Sequence, residues 1–238
     1  MLLQTQSIGC RLGNMIINHL LFADDAVVFS PSAKGLQQLL EICADFAVSH
    51  NVVFNVNKSQ CLIIKSKHAL IGHPLFHLSG APLPYTDCYK YLGQLINSSL
   101  SDDADIMKQT RSLYARSNMI IRKFASASLS SNIMLFNAYC TPIYGCPLWC
   151  SMYQYSYRKL NVAYNDALRH LLHEPRWCSA SQLFVANNVS SFAANIRKLV
   201  YSLWRSLNAS DNVLINAALR SDLLATSPVF RRWRNILF

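Results

Sequence analysis

The sequence predicts an α+β protein, with a strand-rich part over residues 1–97 that packs one helix and an all-helical part over 98–238. Three observations predict it. Short apolar runs broken by turn residues dominate the first part. Only one stretch within it has apolar residues at helical spacing. Beyond residue 97 the apolar period lengthens to that of amphipathic helices.

Residues 8–12 and 15–22 read as strands joined at Gly13-Asn14, a turn dipeptide. Residues 26–29 (AVVF) form the next strand, so Asp24 and Asp25 fall at the tip of a tight hairpin. Ser30 is placed to cap a helix, with Pro31 at its first position. Leu36, Leu39, Leu40, Cys43 and Phe46 then supply its apolar face, and His50-Asn51 ends it. Residues 52–56 and 60–64 predict two strands around Asn57-Lys58-Ser59. Residues 66–87, with Gly72, Pro74, Gly80, Pro82 and Pro84, predict loop or a short hairpin, and 88–96 one more strand.

The second part opens with Asp102 or Asp103 as a cap. Ile106, Met107, Thr110, Leu113, Tyr114, Ser117, Ile120, Ile121 and Phe124 share one helical face. Lys108, Arg111, Arg116, Arg122 and Lys123 fall on the opposite face, which carries no acid beyond the capping region. A merely solvated face mixes signs, so this one predicts contact with nucleic acid. Further helices are expected over 130–140, 156–172 and 190–207. The tail FRRWRNILF interleaves bases and aromatics, a pattern that suits either a clamp on nucleic acid or a frayed terminus.

Bulk composition narrows the classes. Apolar residues make up 52%, enough for a core and against disorder. The net charge is +10, from 22 Lys+Arg against 12 Asp+Glu, and points to an acidic partner. The first residues lack the basic start and long apolar stretch of a signal peptide. No run of about 18 apolar residues occurs, so no membrane partner is expected. The eight cysteines are scattered. Cys146 and Cys150, with His170, His173 and Cys178 downstream, are spaced far more loosely than a zinc pattern, so free buried thiols are the expectation.

Two adjacent carboxylates between apolar strands repel each other and resist burial. A divalent ion offsets that cost. Mg²⁺ takes hard oxygen ligands and needs only one or two protein carboxylates when substrate phosphates supply the rest.

Phe22-Ala23-Asp24-Asp25 resembles the aromatic-x-Asp-Asp hairpin of reverse transcriptases. The order of the downstream segments extends the likeness. Leu36 to Phe46 resembles the palm helix after that hairpin, and Phe54-Asn55 through Lys58 the next turn. Tyr91-Leu92-Gly93 resembles the primer-grip strand, and the basic helix the thumb. Asn18-His19-Leu20 before the hairpin, and the stretches LFNAYCTPIYG and VAYNDALRHLL, resemble reverse transcriptases of non-LTR (LINE-type) retrotransposons. An RNA-templated RNA polymerase also uses an Asp-Asp hairpin, but Tyr91-Leu92-Gly93 and its spacing to Lys58 favour the reverse-transcriptase side.

The resemblance implies the C-terminal part of a polymerase palm over 1–97 and a helical thumb and post-thumb region over 98–238. It implies Asp24 and Asp25 as metal ligands for Mg²⁺ and catalytic carboxylates, Lys58 as proton donor to pyrophosphate, and Tyr91, Leu92 and Gly93 as the primer grip. Lys108, Arg111, Arg116, Arg122 and Lys123 would bind the nucleic-acid backbone. The implied partners are an RNA template and an RNA–DNA hybrid or DNA. The family's further aspartate on an earlier strand, and its fingers, have no counterpart before Ser7-Ile8. The expectation is a truncated reverse-transcriptase polypeptide, inactive alone. The alternative is a fragment that binds RNA or RNA–DNA hybrid without chemistry.

Overall fold

The computed structural model describes residue 3 and residues 7–64 and 74–238. The protein is α+β, with short antiparallel strand pairs and many helices. It divides into two compact units. The first comprises Met1–Tyr89, Asn97–Ser99 and Val213–Leu223, and the second Lys90–Ile96, Leu100–Asn212 and Leu224–Phe238.

In the first unit β1 (Cys10–Leu12) pairs with β2 (Met15–Ile17) across Gly13-Asn14. The expected strand over 15–22 is interrupted at Asn18, and β3 (His19–Phe22) pairs instead with β4 (Asp25–Val28). The break has a cause. Asn18 is buried, and its side-chain amide donates to the carbonyls of Leu3 (2.8 Å) and Ile8 (2.9 Å). Those bonds satisfy a polar group that could not otherwise sit inside.

Helix α1 (Ala33–Ser49) starts later than expected. Its cap is Ser32, whose Oγ accepts from Gly35 N at 3.1 Å, while Ser30 Oγ accepts from Ser32 N. Leu39, Leu40, Cys43 and Ala47 form its buried stripe. The first three pack with Cys61, Phe76, Leu78 and Leu83 into the core of this unit.

The two strands expected over 52–56 and 60–64 do not form. Val56–Lys58 is a 3₁₀ turn, and Cys61 makes only an isolated parallel bridge to Tyr85. Asn55 supplies the reason. Its side chain accepts from Lys58 N, so the backbone finds a local partner in place of a ladder. Val53, 92% exposed, gains nothing from a strand there. Residue 65, and residues 66–73 of the expected loop with Gly72 among them, lie outside the described residues. Beyond them β5 (His77–Leu78) and β6 (Ala81–Pro82) form a minimal hairpin. The single strand expected over 88–96 is a hairpin, β7 (Cys88–Tyr91) and β8 (Gln94–Asn97), turning at Leu92-Gly93.

The second unit is built on α2 (Asp103–Lys123) and α4 (Gln154–Leu171), which pack on each other. Ile106, Leu113 and Ile120 of α2 belong to one core with Leu160, Ala163, Tyr164, Ala167, Leu168 and Leu171 of α4, each set at helical spacing. Helices α3 (Leu129–Tyr139), α5 (Ala180–Ala186) and α6 (Phe192–Asn208) close over it. Phe136, Phe184 and Phe192 surround the Tyr164 ring at 5.5–5.7 Å between centroids. Next in sequence is α7 (Val213–Arg220), which belongs to the first unit, followed by α8 (Asp222–Thr226) and α9 (Pro228–Leu237).

The tail therefore does not fray. Trp233 is 4% exposed and its indole N–H donates to Pro147 O at 2.6 Å, while Arg232 donates to Cys146 O at 2.9 Å. No described helix is long and apolar enough to cross a membrane.

Candidate metal-binding hairpin and nucleic-acid interface

The acidic hairpin is a two-residue loop. Phe22 pairs with Asp25, leaving Ala23 and Asp24 as the turn. Ala23 has φ +51°, a left-handed conformation that glycine usually takes. An alanine held there stores about 1–2 kcal/mol. Asp24 and Asp25 are both exposed, one in the turn and one opening β4. Leu20, Leu21 and Phe22 beside them are also exposed, Phe22 by 62%. At the base of the hairpin, Phe29 N donates to Asn18 O at 2.8 Å, and Asn18 Oδ1 meets His19 Nδ1 at 2.6 Å. Burial pushes the His19 imidazole below its ordinary value. Asn18 and His19 thus fix the hairpin's root.

Two exposed carboxylates with hard oxygen donors fit the ligand chemistry of Mg²⁺. Among the described residues no group of three or more His, Cys, Asp or Glu side chains comes together as a metal site. Lys58 is exposed, at the end of the 3₁₀ turn capped by Asn55.

Tyr91, Leu92 and Gly93 sit at the β7–β8 turn. Leu92 has φ +44° and Gly93 φ +82°, the paired left-handed geometry of a tight hairpin turn. Both of its carbonyls are taken from within the second unit. Tyr144 O–H donates to Leu92 O at 2.7 Å, and Lys108 Nζ donates to Gly93 O.

The basic helix separates into two sets. Lys108 is ion-paired with Asp105, and Arg116 donates to Ser112 O and to Pro142 O, both at 3.2 Å. Arg111, Arg122 and Lys123 are exposed, and their side chains make no hydrogen bond or ion pair among the described residues. Arg111 and Arg122 point the same way, about 16 Å apart along the helix axis. Arg122 and Lys123 also complement the negative end of the helix dipole.

Sequence reasoning missed what Asp105 does. In the first turn of a helix it reads as a dipole partner. In the structure it is 2% exposed and accepts from Trp149 Nε1 at 2.9 Å, from Leu95 N at 3.3 Å and from Lys108. The pairing with a lone tryptophan 44 residues on left no local signal. Asp102 stands at the helix start but makes no capping bond with its side chain. Its Oδ2 accepts from Cys150 N (2.6 Å) and Ser151 N (2.7 Å). Burial raises its carboxyl above the ordinary value, against the lowering effect of those two bonds. Burial also pushes the thiols of Cys140 and Cys146 up, to about 11 and about 12, so neither is a nucleophile near neutral pH.

No known protein-family profile matches the chain. Three curated proteins do. The chain is 35% identical over 93 residues to the Retrovirus-related Pol polyprotein from type-2 retrotransposable element R2DM of Drosophila melanogaster, covering 36% of this chain and 9% of that protein. It is 22% identical over 204 residues to the RNA-directed DNA polymerase from mobile element jockey of Drosophila funebris, covering 81% of this chain and 22% of that one. It is 26% identical over 141 residues to the Probable RNA-directed DNA polymerase from transposon X-element of Drosophila melanogaster, covering 54% of this chain and 15% of that protein. The chain thus spans less than a quarter of the length of these relatives. Its sequence is related to the RNA-directed DNA polymerases of non-LTR retrotransposons.

Proposed function

We propose that these 238 residues are the carboxylate hairpin, primer-contact turn and thumb-like helices of a reverse transcriptase, and that they bind an RNA–DNA hybrid through its backbone. The observation that carries the reading is the Phe22-Ala23-Asp24-Asp25 hairpin, with one exposed carboxylate in its two-residue turn and the other opening β4. Asp24 and Asp25 would hold Mg²⁺ together with substrate phosphates. Bound there, the ion would activate the attacking oxygen and neutralise charge on the leaving one. Lys58, which is exposed, would donate a proton to departing pyrophosphate. Leu92 and Gly93 would seat the primer end, while Arg111, Arg122 and Lys123 would contact phosphates.

As a 238-residue polypeptide the chain is proposed to bind without extending a primer. The observation favouring binding is that Arg111, Arg122 and Lys123 are exposed along α2.

The test incubates the purified chain with a primed RNA template, nucleotides and Mg²⁺, beside a binding titration on the same duplex. Binding without extension is the expected result. Extension that disappears in Asp24→Ala would replace the binding reading with a catalytic one. Absence of both would remove the proposal.

A further inference from the structure

The Leu92–Gly93 turn is held in a conformation it would not hold by itself. Leu92 is a non-glycine residue at φ +44°, and such outliers persist only where the surroundings fix them. Here the surroundings are specific. The Tyr144 hydroxyl takes the Leu92 carbonyl and the Lys108 ammonium takes the Gly93 carbonyl. Lys108 is in turn tied to Asp105, which is fixed by Trp149, 1% exposed, and by Leu95 N.

Close approach is built into the sequence. A Cβ on Gly93 would lie 3.2 Å from the Tyr144 ring, and one on Gly145 would lie 2.1 Å from Gln94 Nε2 and 3.2 Å from Asp105 Oδ2. Gly145 also has φ +82°. So position 145 lies close against Gln94 and Asp105, in a left-handed backbone conformation that favours glycine.

The consequence is electrostatic. A phosphate near the turn would be repelled by bare carbonyl oxygens. Both oxygens here are capped by donors, one of them cationic. Leu92 itself stays exposed, by 37%.

We propose that Tyr144 and the Lys108–Asp105–Trp149 group are positioning residues that hold the Leu92–Gly93 turn against the 3′ end of a primer strand. This rests on reading residues 91–93 as the primer contact. Lys108 then acts on the turn and not on a phosphate of its own.

The experiment uses the 238-residue protein with an RNA–DNA hybrid carrying 4-thiothymidine at the primer 3′ terminus, followed by photocrosslinking and peptide mapping. In the parent protein the crosslink is expected within residues 90–95. Tyr144→Phe keeps the ring and removes one hydrogen bond. It should lower that crosslink roughly fivefold, the factor a hydrogen bond of ordinary strength supports. Affinity for the hybrid should change by less than about twofold, and amide exchange at 92–94 should rise. Lys108→Met should act alike. Faster exchange with an unchanged crosslink would overturn the positioning role, as would equal losses of crosslink and affinity. A parent crosslink mapping elsewhere would instead overturn the reading of the turn as primer contact, and the positioning role with it.

Discussion

Removing the Asp105 carboxylate should unsettle the second unit by an amount that its partners allow to be worked out. In Asp105→Ala the Trp149 indole N–H, on a residue 1% exposed, loses its acceptor. A buried donor left unmet costs about 1–3 kcal/mol. The part-buried N–H of Leu95 adds about 1 kcal/mol on the same grounds. Lys108 adds little, because its side chain is 31% exposed and keeps Gly93 O. The sum is about 2–4 kcal/mol. Asp105→Asn is no rescue. Whichever way the amide turns, its NH₂ faces a donor, either Trp149 Nε1 or the pair Leu95 N and Lys108. The assay is urea unfolding followed by tryptophan fluorescence and circular dichroism, with Trp149→Phe completing a double-mutant cycle. Removing both partners should cost less than the two single losses together, by about 1–2 kcal/mol of coupling. A cost of Asp105→Ala below about 0.5 kcal/mol, the ordinary surface range, or zero coupling to Trp149, would refute the buried-anchor argument.

Three further outcomes are expected. Ala23 sits at φ +51° on the hairpin tip, so Ala23→Val should speed amide exchange of residues 19–28 while Ala23→Gly leaves it close to the parent; equal effects would mean the turn is unstrained. Burial raises the Asp102 carboxyl, so its contribution to stability is fully present below the ordinary carboxylate value and is lost as pH rises through the raised one. Asp102→Asn should therefore gain on the parent at about pH 7, and the gain should shrink toward about pH 4; urea midpoints that diverge on acidification would contradict this. Trp233→Ala should cost about 3–5 kcal/mol, since it empties a buried site and leaves Pro147 O without its donor, and a cost below about 1 kcal/mol would show that α9 is loosely docked.

What could be read from sequence was what local pattern encodes. The Ala23-Asp24 hairpin, the buried stripe of α1 and the apolar face of α2 all repeat at the period of their own element. Departures came where the hydrogen-bond partner of one polar side chain decides. Asn18 cuts an apolar run because Leu3 and Ile8 offer it carbonyls. Val52–Val56 is rich in β-branched residues, yet Asn55 turns the backbone locally. Lys108 lies on the basic face by angle, and the pattern did not show its ion pair with the buried Asp105 one turn earlier. The tail did carry a signal that composition hid. Phe230, Trp233 and Leu237 recur at helical spacing, and the first two pack against Trp204.

The central claim is that the exposed bases of α2 hold a nucleic-acid backbone. Its most direct test is a titration of the 238-residue protein with mixed-sequence RNA–DNA duplexes across a range of salt. Each phosphate contact releases counterions, so log affinity should fall linearly with log salt, by roughly 0.7–0.9 per contact. Arg111→Ala, Arg122→Ala and Lys123→Ala should each weaken unrelated sequences about equally, since phosphate contacts carry no sequence information. Together they should reduce the slope by roughly 2–3. Binding that ignores salt, or a slope unchanged when all three are replaced, would contradict the account and leave that face as ordinary solvated surface.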